Sequence, residues 1–449
     1  MSDPEAAAPA HEVSFREAAG FWVKLGFVNF GGPAGQIALM HEELVERRRW
    51  ISEGRFLHAL NYCVLLPGPE AQQLAIYVGW LLHKVRGGLL AGIAFILPAF
   101  FLIWGLSWTY AAHGDVAAVS GLFLGLQAAV VGIVAHAVIR IGKKALRTRA
   151  MVVTAAASFL AIFVFHLTFP VIIVAAGLIG AAGLLGIAPA PAEGDDADVA
   201  LRDDAAMPPH TQPSARRAMT ALVVGLAAWI LPLVLVTRAS WAPPVLSEQA
   251  VFFSKAALVT FGGAYAVLAY INVAAIAYGW LLPGQMATGL GLAESTPGPL
   301  IMVTEFVGFL GAYQQPGSLS PAIAGALGAL VVTWATFAPC FLWIFLGAPY
   351  VEVLRGNRRL ASALSGVTAA VVGVVLNLAL VLGIHTLFEQ VRAVEVLGNA
   401  ILVPVWSSVD VFALVIALGA FVAIWRFTVH VLWVVGIAAA LGIVCALFG

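Results

Sequence analysis

Charge is what this sequence has least of. Only 10% of its 449 residues are Asp, Glu, Lys or Arg, against roughly 25% in ordinary soluble domains. That scarcity excludes a soluble globular enzyme. Acids and bases balance at 23 each, so no overall field draws nucleic acid or an anionic surface to the chain. The three cysteines, Cys63, Cys340 and Cys445, lie far apart in apolar sequence. Their spacing offers neither a disulfide framework nor a metal site. Serine-hydrolase, HExxH, P-loop and dinucleotide-binding signatures are missing, so ATP-driven transport by this chain is not expected. Neither a metal nor a cofactor is expected, and no nucleic-acid partner. The opening MSDPEAAAPAHEVSFREAAG has no basic and apolar signal-peptide regions, so the first hydrophobic element is expected to serve as its own insertion signal.

Apolar residues fill the space that charge leaves. They make up 61% of the chain, which indicates an all-α polytopic membrane protein. Apolar elements are expected near 20–33, 60–82, 87–112, 117–140, 150–166, 169–187, 219–237, 250–282, 287–311, 321–347, 361–386, 397–425 and 427–448. The segment 250–282 is too long for one span, and 397–425 carries an early break at Pro404. Residues 189–217 hold six acids and five prolines and read as a flexible linker. The expected order is a tail over 1–13, a transmembrane domain over 14–188, the linker, and a second transmembrane domain over 218–449.

The two domains repeat one another. FWVKLGFVNFGG at 21–32 aligns with FFSKAALVTFGG at 252–263, and LLPGPE at 65–70 aligns with ESTPGP at 294–299 through Pro-Gly-Pro. ILPAFFL at 96–102 aligns with FAPCFLW at 337–343, and GLQAAVVGIV at 125–134 matches GVTAAVVGVV at 366–375 in seven of ten positions. Basic residues in short loops tend to stay cytoplasmic. They follow the first two units at Arg47, Arg48, Arg49, Arg55, Lys84 and Arg86, and their second-half counterparts have none. The bias reverses again at Arg355, Arg358 and Arg359 and at Lys143, Lys144, Arg147 and Arg149. An inverted-topology repeat explains a bias that alternates in this way.

Pro-Gly-Pro removes two backbone donors and disfavours helix at the residue before it. At Pro67, Gly68 and Pro69, and again at Pro297, Gly298 and Pro299, a membrane helix is expected to stop and restart, either as a re-entrant pair of half-helices or as a kinked span. A helix start at the midplane attracts anions through its unpaired N–H groups and dipole. The Phe30-Gly31-Gly32-Pro33 and Phe261-Gly262-Gly263 runs allow close backbone approach, to a ligand or to a packed helix. Lys24 and Lys255, in register before these runs, either neutralise a bound anion or snorkel. Asn29, Gln72, Gln73, Ser295 and Thr296 are neutral donors beside the breaks. Glu70, Glu294 and Glu305 are candidate proton-coupling groups, or carboxylates held for structure. Gln127 and Thr368 occupy matching positions that could line one cavity. His136 and Arg140 could simply mark a cytoplasmic helix end. Residues 41–50 read as an amphipathic interfacial helix.

In this order, Phe-Gly-Gly-Pro, an Arg-Arg-Trp turn, Leu-Pro-Gly-Pro with a following Gln, then Phe-Gly-Gly and Ser-Thr-Pro-Gly-Pro, the motifs resemble those of the chromate ion transporter (CHR) family in its long, two-domain form. The resemblance covers nearly the whole chain outside the tail and linker. It implies an inner-membrane carrier that exports chromate, driven by the proton gradient or membrane potential, and so confers chromate resistance. The family motifs carry over to Phe30, Gly31, Gly32, Pro33, Pro67, Gly68, Pro69 and Gln73, and to Phe261, Gly262, Gly263, Thr296, Pro297, Gly298 and Pro299. The second Phe-Gly-Gly is followed by Ala264 rather than proline, so the two tips need not be equivalent. Expected partners are chromate or a sulfate-like oxyanion, protons, the lipid bilayer and, in a homodimer, a second copy. The N-terminus and linker are expected on the cytoplasmic side. A sulfate carrier, an anion channel and a membrane-embedded enzyme are the competing readings.

Overall fold

The computed structural model describes residues 13–30, 32–114, 116–185, 209–261, 264–350, 358–396 and 399–448. The first half runs through α1 (Phe15–Val28), α2 (Gly32–His41), α3 (Glu53–Leu65), α4 (Glu70–His113), α5 (Ala117–Ala145), α6 (Arg149–Phe163) and α7 (Phe169–Ala181). After α8 (Ala215–Thr237) the second half follows as α9 (Pro244–Val259), α10 (Ala264–Ala277), α11 (Gln285–Ser295), α12 (Val303–Gln314), α13 (Pro321–Gly347) and α14 (Arg358–Leu387). It closes with α15 (Val411–Phe427) and α16 (Val431–Phe448). Six helices among the described residues are long and apolar enough to cross a membrane. Large apolar side chains such as Phe27, Leu235, Val415 and Trp433 face outward, as a lipid-facing surface requires.

Local signals set the helix starts. Ser14, Ser52 and Thr148 each accept the N–H three residues on, at 3.2 Å in every case, which satisfies one orphan donor per helix. Helix α4 is two limbs, because His83 and Lys84 leave helical geometry and Lys84 takes φ 56°. The limbs then fold against each other, so closely that a Cβ on Gly87 would run into the carbonyl of Gly79.

The halves exchange helices. Helix α5 packs against α15 and α16 of the second half, while α14 packs against α6 and α7 of the first. The AAVVG match has a physical reason here. Gly125 and Gly366, in register, leave no room for a Cβ against the carbonyls of Ala438 and Ala176. Gly132 and Gly373 do the same against Ala417 and Ala155. Small residues that let backbones touch are the usual device for helix association in lipid.

Three expectations are corrected. The apolar run 397–425 is not one element. Residues Val391–Val396 and Asn399–Pro404 pair as an antiparallel hairpin, and helix resumes only at Val411. Val, Ile and Leu suit a pleated strand, and Pro404 sits at a strand end where its missing donor matters least. The all-helical class therefore carries one small sheet. Residues 41–50 are not one regular α-helix: α2 ends at His41 and Glu42–Arg47 form a single π-helical turn. The linker is shorter than expected at its C-terminal end, since α8 already begins at Ala215; residues 186–208 lie outside the described residues.

That π-helical turn is clamped. Glu43 accepts from Arg47 at 2.9 Å and from Arg48 at 3.2 Å, and the Arg48 guanidinium lies over the Phe21 and Trp50 rings at 5.1 Å each. Burial raises the Glu43 carboxyl, but the two arginines outweigh it and hold the group below its ordinary 4.5. A carboxyl held low stabilises the fold above its unfolded value and loses that contribution as pH falls through its folded value. The melting temperature of the solubilised protein should therefore drop more steeply below about pH 4.5 in the wild type than in Glu43→Gln; parallel curves would rule the clamp out.

Candidate functional site

Both Pro-Gly-Pro triplets sit where the chain stops one helix and starts another. Helix α3 ends at Leu65 and α4 starts at Glu70, with Gly68 at φ +129° between them. Helix α11 ends at Ser295, and a 3₁₀ turn at Leu300–Met302 leads into α12, with Gly298 at φ +118°. The chain doubles back at each break. Tyr62 and Tyr77, on either side of the first, have ring centroids 6.0 Å apart. A Cβ on Gly289, before the second, would strike the Phe306 ring after it.

Each tip is completed by the other half. The Gly68 N–H donates to the Thr260 carbonyl at 2.8 Å, and the Gly298 N–H donates to the Asn29 carbonyl at 3.3 Å. Asn29 and Thr260 are equivalent residues, the C-caps of α1 and α9. The packing repeats the exchange. A Cβ on Gly68 would lie 2.9 Å from Cys340 Sγ, and one on Gly298 would lie 2.5 Å from Ala99 Cβ. Cys340 and Ala99 each follow the proline of their helix, Pro339 and Pro98.

Amides fasten the tips. Gln36 Nε2 donates to the Asn29 carbonyl at 2.9 Å and to the Gly298 carbonyl at 2.5 Å. Gln73 Nε2 donates to the Pro67 carbonyl at 2.8 Å, and Asn29 Nδ2 reaches the Phe95 carbonyl at 3.4 Å. Asn29, Gln36, Gln72 and Gln73 are all fully buried. Asn29 Oδ1, Gln36 Oε1, Gln73 Oε1 and both polar atoms of Gln72 have no partner among the described residues. Ser295 and Thr296 are committed elsewhere, donating to the Leu292 carbonyl at 2.9 and 3.0 Å.

The carboxyls are spread apart. Glu70 opens α4 and is half-buried. Glu294 is buried and accepts from the Tyr265 hydroxyl. Glu305 is 0% exposed, and neither oxygen has a partner among the described residues. Lys24 and Lys255 are not brought to the tips. Both are exposed, and Lys255 lines a surface pocket of about 380 Å³ with Glu248, Phe252 and Tyr270. Phe30, Gly32, Pro33 and Phe261 are half-buried beside the breaks; Gly31, Gly262 and Gly263 lie outside the described residues. Gln127 donates to Thr288 at 2.5 Å, while Thr368 bonds its own helix at the Leu364 carbonyl. Among the described residues no group of three or more His, Cys, Asp or Glu could hold a metal.

Sequence reasoning passed over Gln36 and Tyr265. Gln36 carried a signal, a lone amide in an apolar run three residues after Pro33. Tyr265 carried none, because its partner lies 29 positions on.

Residues 16–181 and 247–443, and with them both breaks and both Phe-Gly-Gly runs, match the family model described as Chromate transporter. The chain belongs to the chromate transporter family. It is 34% identical over 361 residues to a chromate transport protein of Pseudomonas aeruginosa, covering 79% of this chain and 77% of that one. It is 29% identical over 391 residues to a chromate transport protein of Cupriavidus metallidurans, covering 86% and 88%. A probable chromate transport protein of Synechococcus elongatus is 28% identical over 396 residues, covering 87% and 90%. No solved structure matches. These relatives are named as transport proteins, and the chain is a membrane transporter rather than an enzyme.

Two substitutions test the tips. Gly68→Ala and Gly298→Ala each force a side chain into positive φ and into a closed contact. Each should lower stability by about 1–3 kcal/mol, read as a drop in melting temperature in detergent. Wild-type melting in both variants would mean that the tips are not held as described.

Proposed function

We propose that this chain is a secondary carrier that exports chromate across the cytoplasmic membrane, driven by the proton gradient or the membrane potential, and that it confers chromate resistance. The observation that carries this reading is the reciprocal pair of tips, Gly68 on Thr260 and Gly298 on Asn29. Two helix starts, at Glu70 and at Leu300, follow those tips. Helix starts offer N–H groups and a favourable dipole end to an anion. Broken helices at a repeat interface are where secondary carriers place substrate.

The inverted-repeat reading draws support from three features. Basic loops alternate between the halves, as the sequence shows. Equivalent glycines and equivalent tip residues meet equivalent partners in the other half. Helix α8 lies outside both family-matched stretches, and one extra crossing between repeats would turn the second over. On this reading each Pro-Gly-Pro hairpin is re-entrant, the first from the cytoplasm and the second from outside, and the N-terminus and linker are cytoplasmic.

Neutral donors suit a carrier. A dianion held by N–H and amide groups can be released, whereas a buried cation would retain it. The two lysines stand outside the tips and have no part in this reading. Glu305 and the Glu294–Tyr265 pair are the groups on which proton coupling would rest.

Proteoliposomes supply the test. Saturable uptake of radiolabelled chromate that responds to an imposed pH gradient or potential is expected, with sulfate competing only weakly. Flux that never saturates would indicate a channel, and flux of sulfate without chromate would replace the substrate. In a cysteine-free background, cysteines at positions 58 and 84 should label from the same face; labelling from opposite faces would exclude the re-entrant hairpin.

A further inference from the structure

The two tips share a backbone geometry but not their side chains. Beside the breaks, Asn29, Gln36, Gln72 and Gln73 of the first half are buried amides, while the buried amides of the second half are Gln249 on α9, Asn272 on α10 and Asn377 on α14. The repeat counterparts of the first four, read through the aligned motifs, are Thr260, Val267, Met302 and Val303. The deeply buried carboxyls show the opposite bias. Glu294 and Glu305 belong to the second half, and their counterparts are Val64 and Ala75.

Three of the first-half amides have structural work. Gln36 and Gln73 fasten tip carbonyls, and Asn29 reaches the Phe95 carbonyl. Gln72 has none. It is 0% exposed, and both Nε2 and Oε1 lack a partner among the described residues. A buried amide left unbonded is costly, and native folds seldom retain one without use. Gln72 is also the third residue of α4, inside the first turn, where the backbone N–H groups have no helical acceptor. Its NH₂ and those N–H groups all belong to the first turn of α4. At 3.6 residues per turn the Gln72 side chain points about 200° away from that of Glu70.

The second break has no counterpart to Gln72. The Met302 side chain has no hydrogen to donate, and the Ser295 and Thr296 hydroxyls already bond the Leu292 carbonyl. One turn beyond Met302 stands Glu305, buried with both oxygens unbonded, a poor neighbour for a dianion and a suitable carrier of a proton.

We propose that the chain has a single tetrahedral-oxyanion site, at the first break with Gln72 as its side-chain donor, and that the second break contributes the proton-exchanging carboxyl Glu305 in place of a second site. The proposal rests on the carrier reading, and the experiment separates the two.

Equilibrium dialysis of the full-length solubilised protein with radiolabelled chromate should give one chromate per chain. In proteoliposomes Gln72→Leu should raise the KM for chromate by about ten- to a hundredfold, the range for a lost hydrogen bond to a charged group, with folded yield unchanged. Gln72→Asn should recover part of the loss, and Met302→Leu should behave as wild type. Glu305→Gln should flatten the response of chromate flux to an imposed pH gradient. Should Gln72→Leu fail to fold, the isosteric Gln72→Glu serves instead and should abolish chromate binding. Two chromates per chain overturn the single site. A wild-type KM in Gln72→Leu, or intact binding in Gln72→Glu, overturns the role of Gln72. An unaltered pH response in Glu305→Gln overturns the division between halves. Absence of chromate flux in the wild type would instead overturn the carrier reading itself.

Discussion

Two backbone hydrogen bonds, from Gly68 to Thr260 and from Gly298 to Asn29, are the constraint on which the rest of this structure depends. A helix broken in an apolar medium exposes N–H and C=O groups that no water can satisfy. Proline makes the break unavoidable and glycine makes it tight enough to bury. Neither tip glycine donates within its own half among the described residues. Each borrows the carbonyl at the end of the other half's first helix. The halves therefore fold as one body, and the exchange of α5 and α14 onto the opposite terminal helices extends the same dependence to the periphery.

The glycine stripes follow from that body. Where α5 and α14 meet their partners, carbonyl oxygens occupy the space a Cβ would need. Without a hydrophobic driving force between helices in lipid, such backbone contact is the main attraction available. The matched AAVVG segments are thus packing surfaces. At the tips the side chains differ between the halves even though the backbone repeats.

Most of the framework could be read in the linear chain. Proline and glycine act on their own residues and neighbours, so both breaks and the restarts at Glu70 and near Leu300 were legible. The alternating loop charges were equally local. The exposure of Lys24 and Lys255 was not, because which face of a helix meets the core depends on the neighbour. Residues 399–404 were misread for a related reason: a short apolar run suits a helix or a strand, and only its pairing with 391–396 decided between them. Gln36 was overlooked because its second acceptor, Gly298, is 262 positions away.

Composition and spacing by themselves determined that this chain lives in a membrane, that it is built twice, and that each copy breaks its second unit at Pro-Gly-Pro. Those properties follow from residue-level preferences and need no partner. Tertiary structure alone decided that each break bonds the end of the other half's first helix and that both lysines are exposed. It alone decided that Gln72 and Glu305 are buried without partners. Each of those facts depends on which distant backbone arrives beside a residue, and local preference carries no record of that.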